Sequence, residues 1–122
     1  MIRFYKNVSA AFLLLTSIVL AQGSESIDAR LVGAWEGSRI TETACDSYIW
    51  RVDRSDDGKY VVDFFADPEM TDRITREEGT WWSKDGVFYE QSAAQKNSLN
   101  AFRYRSKGAD EIYFEYIAQE NV

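Results

Sequence analysis

The chain has no histidine, one cysteine (Cys45) and one proline (Pro68) in 122 residues. Without histidine there is no imidazole base, no histidine-activated serine or cysteine nucleophile and no imidazole metal ligand. A single cysteine excludes an intrachain disulfide and a cysteine-based zinc or iron–sulfur site. Basic residues are also short. Fourteen Lys and Arg stand against twenty Asp and Glu, giving a formal charge of −6. Nucleic acids and anionic membranes recruit basic surfaces, so neither is an expected partner.

What is present is apolar and aromatic: 45% of residues are hydrophobic and 15% aromatic, a composition that folds. The length allows one domain. Residues 1–21 read as a signal peptide. Arg3 and Lys6 form a basic start, and no acidic residue precedes Glu25. The apolar run from Val8 to Leu20 is about 13 residues, within the ~7–15 of a signal core and short of the ~20 that span a bilayer. Val19-Leu20-Ala21 offers a cleavage site after Ala21, with a cut after Gly23 as the alternative. No stable membrane anchor is expected after cleavage, and the expected location is the periplasm or the medium. Loss of Arg3 and Lys6 leaves twelve basic against twenty acidic residues, a charge of −8. In such a compartment a lone Cys45 is either buried and inert or free for an intermolecular bond. Its acidic neighbours Glu42 and Asp46 disfavour a thiolate.

Residues 22–30 read as a flexible lead-in, and 31–122 as the folded domain. The domain shows short alternating runs rich in aromatic and β-branched residues, broken by Gly-containing turns. Seven strands are expected: Leu31–Thr41, Tyr48–Arg54, Lys59–Ala66, Asp72–Ser83, Val87–Ser92, Ala101–Ser106 and Glu111–Ala118. Ser55-Asp56-Asp57-Gly58, Lys84-Asp85-Gly86 and Lys107-Gly108-Ala109-Asp110 supply turns. Pro68 lacks an N–H and interrupts pairing. Ala93–Asn100 reads as a loop with room for one helical turn. The predicted fold is therefore all-β: an antiparallel up-and-down meander curled into a small closed or nearly closed barrel, preceded by a signal helix. A two-layer sandwich is the competing architecture.

Gly33-Ala34-Trp35 at the start of the first strand resembles the Gly-x-Trp opening of lipocalins and calycin-like small barrels. The hairpin from Gly79-Thr80-Trp81 to Tyr89 is similar to one common in small bacterial exported lipocalin-like domains. The resemblance implies a barrel with Trp35 packed across its closed end beneath a late-strand arginine, Arg103 or Arg105. The seven-strand count and the lack of paired cysteines depart from typical lipocalins.

Six aromatics, Tyr48, Trp50, Tyr60, Phe64, Trp81 and Tyr89, form either a filled core or the lining of a ligand cavity. Trp81 and Trp82 are adjacent and must face opposite ways. One of them, with Val61 or Phe65, offers an outward apolar patch. The carboxylates have no distinctive spacing and read as solvated charge. No catalytic residue, metal site or cofactor is expected. The sequence thus points to an exported, non-catalytic, lipocalin-like domain binding a small, partly apolar ligand. A protein-interaction module using the outward aromatic patch, such as an inhibitor or envelope accessory factor, is the alternative, with its partner unknown.

Overall fold

Period-two alternation turns one face of each strand inward, and a sheet with one apolar face must curl to cover it. The computed structural model describes residues 2–6, 26–39 and 48–121. It is a closed antiparallel barrel of eight strands. These are β1 (Ile2–Lys6), β2 (Gly33–Arg39), β3 (Tyr48–Arg54), β4 (Lys59–Phe65), β5 (Arg73–Lys84), β6 (Val87–Ser92), β7 (Ser98–Ser106) and β8 (Glu111–Asn121). Each strand pairs with the next, and β8 pairs with β1 to close the ring. Closure removes the sandwich alternative and gives every strand a neighbour on both sides.

The all-β meander is as expected, with one strand more. The additional strand is β1, whose residues also read as the basic start of a signal peptide. Arg3-Phe4-Tyr5 carries a strand alternation as well: Phe4 is buried while Arg3 and Tyr5 are exposed. Phe4 packs on Trp50 and Phe114, with ring centroids 5.5 and 4.8 Å away. The apolar run 8–20 and the cleavage position lie outside the described residues, as does Cys45. Among the described residues there is no α-helix.

Other boundaries shift, and β8 runs on to Asn121. β7 begins at Ser98 inside the expected loop, and the remaining connection, 93–97, is made of turns. Residues 26–30 of the lead-in lie against the barrel, and the strand expected from Leu31 begins at Gly33. Ser26 bridges Ser83 through backbone hydrogen bonds of 2.9 and 2.7 Å, and Ala29–Leu31 form one turn of 3₁₀ helix capped by Asp28. The β5–β6 hairpin turns on Asp85 (φ 51°) and Gly86 (φ 77°). Two positive φ values in succession match the right-handed twist of the flanking strands, and Asp-Gly is suited to that geometry.

The two barrel ends differ. One is closed by Leu31, Trp35, Trp81 and Ile112, each no more than 1% exposed. Trp35 donates its indole N–H to the Leu31 carbonyl at 3.0 Å. The Trp81 indole N–H is shared between the carbonyls of Ser55 (3.2 Å) and Lys59 (3.1 Å), on the β3–β4 turn. Each indole thus buries its ring while its polar end finds a backbone acceptor. At the other end Arg39, Tyr48 and Glu77 are exposed.

Candidate functional site

Between these ends the barrel holds a cavity of about 240 Å³. β3 contributes most to it, because every second residue from Tyr48 faces inward: Tyr48, Trp50, Val52 and Arg54 all line the space. β4 adds Tyr60, Val62 and Phe64; Phe4, Phe88, Phe102 and Phe114 complete the wall. Arg39, Tyr48 and Glu77, exposed at the open end, form the mouth. The volume lies a little below the ~300–1,000 Å³ of pockets for drug-sized molecules, so it suits a smaller one.

Two glycines let the walls come together. A Cβ on Gly37 would stand 2.6–2.8 Å from the Trp50 indole, so that ring lies flat over the β2 backbone. A Cβ on Gly79 would collide with the Gln91 backbone and the Tyr60 ring.

Arg54 is the unusual member of the lining. It is 4% exposed, and its Nε and Nη1 have no hydrogen-bond partner. Its guanidinium carbon lies 4.9 Å from the Phe88 ring centroid, 5.2 Å from Phe4 and 5.4 Å from Phe114. Burial pushes its pKa down to about 10, against a smaller opposing pull from the Glu90 charge. The group remains cationic at neutral pH, held by ring faces instead of by an anion.

Glu90 of β6 also lines the cavity. Burial raises the pKa of its carboxyl; the Arg54 charge opposes that shift and the Glu77 charge adds to it. No ion pair joins Glu90 to Arg54 among the described residues. The Tyr60 hydroxyl is pushed up by burial and then by the charges of Glu90 and Glu77, so it stays protonated. Buried polar groups are ordinarily partnered, and an unpartnered guanidinium on a cavity wall marks a place where a ligand can supply the missing acceptor.

The structure brings four of the six aromatics singled out from the sequence, Tyr48, Trp50, Tyr60 and Phe64, to the cavity. Trp81 is in the core at the closed end, stacked on Phe88 at 5.9 Å. Tyr89 does not face the interior. It sits opposite Trp82 in the β5–β6 register and stacks on that ring at 5.6 Å, on the outer face. The alternation decides this: Phe88 and Glu90 face inward, so Tyr89 between them faces out. Arg103 and Arg105 are exposed, on the opposite face from Tyr104, and Arg105 lies over Tyr113 at 5.1 Å. The cation over Trp35 is Lys6, 5.8 Å from the ring, and Gly33 adopts φ 117° just before the indole. Phe65, taken as a patch residue, is 9% exposed.

Arg54, Glu90, Phe88 and Phe114 were not singled out from the sequence. Arg54 was within reach: extending the Tyr48-Trp50-Val52 period by one step places it on the inner face. The strand was read to end on Arg54, but its inner face was followed only as far as Val52.

Comparison with family models, with curated proteins and with solved structures finds no match to this chain. The class is therefore defined by architecture: a closed eight-stranded antiparallel barrel, compatible with small calycin-like barrels, with one end plugged and an aromatic cavity open at the other.

Proposed function

We propose that this protein is an exported, non-catalytic, lipocalin-like barrel that binds one small, partly apolar molecule in its interior. The cavity carries the reading. It is about 240 Å³, walled by aromatic rings and reached through the Arg39–Tyr48–Glu77 mouth. Tryptophan and phenylalanine faces offer apolar contact, while Tyr60, Glu90 and Arg54 supply a few polar groups to fix orientation. Trp35 supports the lipocalin-like reading by packing across the closed end behind Gly33. A molecule in this site is bound and released unchanged.

Export follows from the basic start, the short apolar run and the small-residue cleavage site. Cleavage after Ala21 removes Ile2–Lys6 with the leader. Seven strands then remain, and the seam between β2 and β8 becomes a second way into the cavity beside the Trp50 and Phe114 that Phe4 covers.

Native mass spectrometry of protein purified from its own host tests both parts. The expected result is a mass beginning at Gln22 with a small molecule bound one to one. A stoichiometric protein partner with no small molecule would overturn the ligand reading in favour of a contact surface at Trp82 and Tyr89. A mass that retains Met1 or Ile2 would overturn cleavage.

A further inference from the structure

Resting on the cavity reading above, we infer that the ligand is an organic anion, a small acid whose carboxylate meets Arg54 and whose apolar part lies against the aromatic wall. Two observations carry this independently of each other. The first is the unmet demand of Arg54. Its Nε and Nη1 are buried without an acceptor. A buried cation with no counter-ion is costly, and proteins ordinarily pair it. The interior carboxylate that faces it electrostatically, Glu90, makes no ion pair with it.

The second observation is the surroundings of that cation. Phe88 and Phe114, which remain in the chain after cleavage, hold the guanidinium 4.9 and 5.4 Å from their ring centroids; Phe4 of the leader lies 5.2 Å away. Packing against these ring faces restricts the guanidinium before anything binds, so less order is lost on binding. Rings cannot satisfy the in-plane N–H donors, which need oxygen. A carboxylate offers two acceptor oxygens in a form matched to guanidinium geometry. The Tyr60 hydroxyl lines the same space as a further donor.

The position of Arg54 orients the ligand. Arg54 pairs across to Tyr60 and to Gly33, next to the Trp35 and Trp81 plug, whereas the mouth residue Tyr48 lies at the other end of β3. The acid group therefore enters first and the apolar tail points towards Trp50, Phe64 and the mouth. The volume is worth about eight waters at ~30 Å³ each, which limits the guest to a short chain or a single ring.

The test uses three eight-carbon probes that differ only at the head: octanoate, 1-octanol and octylamine. Each is titrated into the purified protein and into Arg54→Met and Arg54→Lys, with heat and tryptophan emission recorded. Octanoate is expected to bind the wild type at least tenfold more tightly than 1-octanol, and octylamine more weakly still. In Arg54→Met the octanoate preference disappears while 1-octanol binding remains; Arg54→Lys retains part of the preference. Thermal unfolding of each variant confirms that the barrel is intact. Equal binding of octanoate and 1-octanol to the wild type, or an octanoate preference that survives in Arg54→Met, would overturn the anion assignment and leave the cavity reading standing. Binding of none of the three at millimolar concentration would overturn both.

Discussion

Replacing Arg54 with methionine should make the protein more stable, not less. Arg54 is 4% exposed and two of its nitrogens lack any hydrogen-bond partner. Its pKa falls well below the ordinary arginine value, to about 10, because burial penalises the charged form. At ~1.4 kcal/mol per unit this is an unfavourable contribution of about 3 kcal/mol. The sign follows from the direction of the shift. A base whose folded pKa is lowered opposes folding at every pH below about 10, and the penalty is relieved only as pH rises from there to the higher unfolded value. The contacts with Phe88 and Phe114 return part of it, about 1–2 kcal/mol for a desolvated guanidinium. Methionine fills nearly the same space without a charge and packs well on phenylalanine rings. The expected net gain at neutral pH is about 1–2 kcal/mol, a rise in Tm of roughly 4–8 °C per kcal/mol in a domain of this size. Urea unfolding followed by tryptophan emission, with a thermal scan beside it, measures both. A loss of about 3 kcal/mol or more would refute the reasoning. It would mean that Arg54 is one half of a buried ion pair, since removing one partner of such a pair leaves the other uncompensated. Gain in stability with loss of octanoate preference is what a site held at the expense of stability should show.

Other consequences follow from the same geometry. Gly79→Ala puts a methyl group against the Gln91 backbone and the Tyr60 ring and should cost ~1–3 kcal/mol in urea unfolding. Trp81→Phe strips the N–H shared by the Ser55 and Lys59 carbonyls and leaves space in the closed end; a loss of about 2 kcal/mol or more is expected in thermal unfolding. Asp63 accepts from Arg76 at 2.7 and 3.0 Å on the barrel's outside, and that bond, with the charges of Arg76 and Arg73, holds its carboxyl below the usual range. Its stabilisation is present above the ordinary carboxylate pKa and is lost as pH falls through the lowered folded value. Solvent screening keeps the contribution under ~1 kcal/mol, so Asp63→Asn should leave the neutral-pH midpoint almost unmoved and flatten the acid side of the stability curve.

The sequence made the barrel legible because its strands alternate cleanly and its turns carry Asp-Gly or Gly. Tyr48-Trp50-Val52 and Tyr60-Val62-Phe64 name their own inner faces, and the structure puts all six on the cavity. The strand count came out one short, and several side-chain placements differ, where a second signal overlay the first. Ile2–Lys6 is basic enough to look like a leader and alternating enough to pair with β2 and β8. Tyr89 is aromatic like the lining, but its phase on β6 is set by Phe88 and Glu90. Arg103 and Arg105 were placed by resemblance, and their exposed strand face puts them outside, where Tyr113 takes Arg105. Arg54 and Glu90 are the deeper case. Charge at an inner position contradicts the rule that interiors are apolar, and such violations concentrate where binding needs them. Nothing short of the closed ring shows that residues on β3 and β6 share one space.

The four tryptophans allow one measurement to separate an interior site from a surface one. Each indole N–H gives its own nitrogen–proton correlation signal. Trp50 lines the cavity, Trp82 lies outside on Tyr89, and Trp35 and Trp81 are in the plug. On titration with octanoate the Trp50 indole signal should move saturably while the Trp82 signal stays in place. Movement of Trp82 with Trp50 unchanged would contradict an interior binding site.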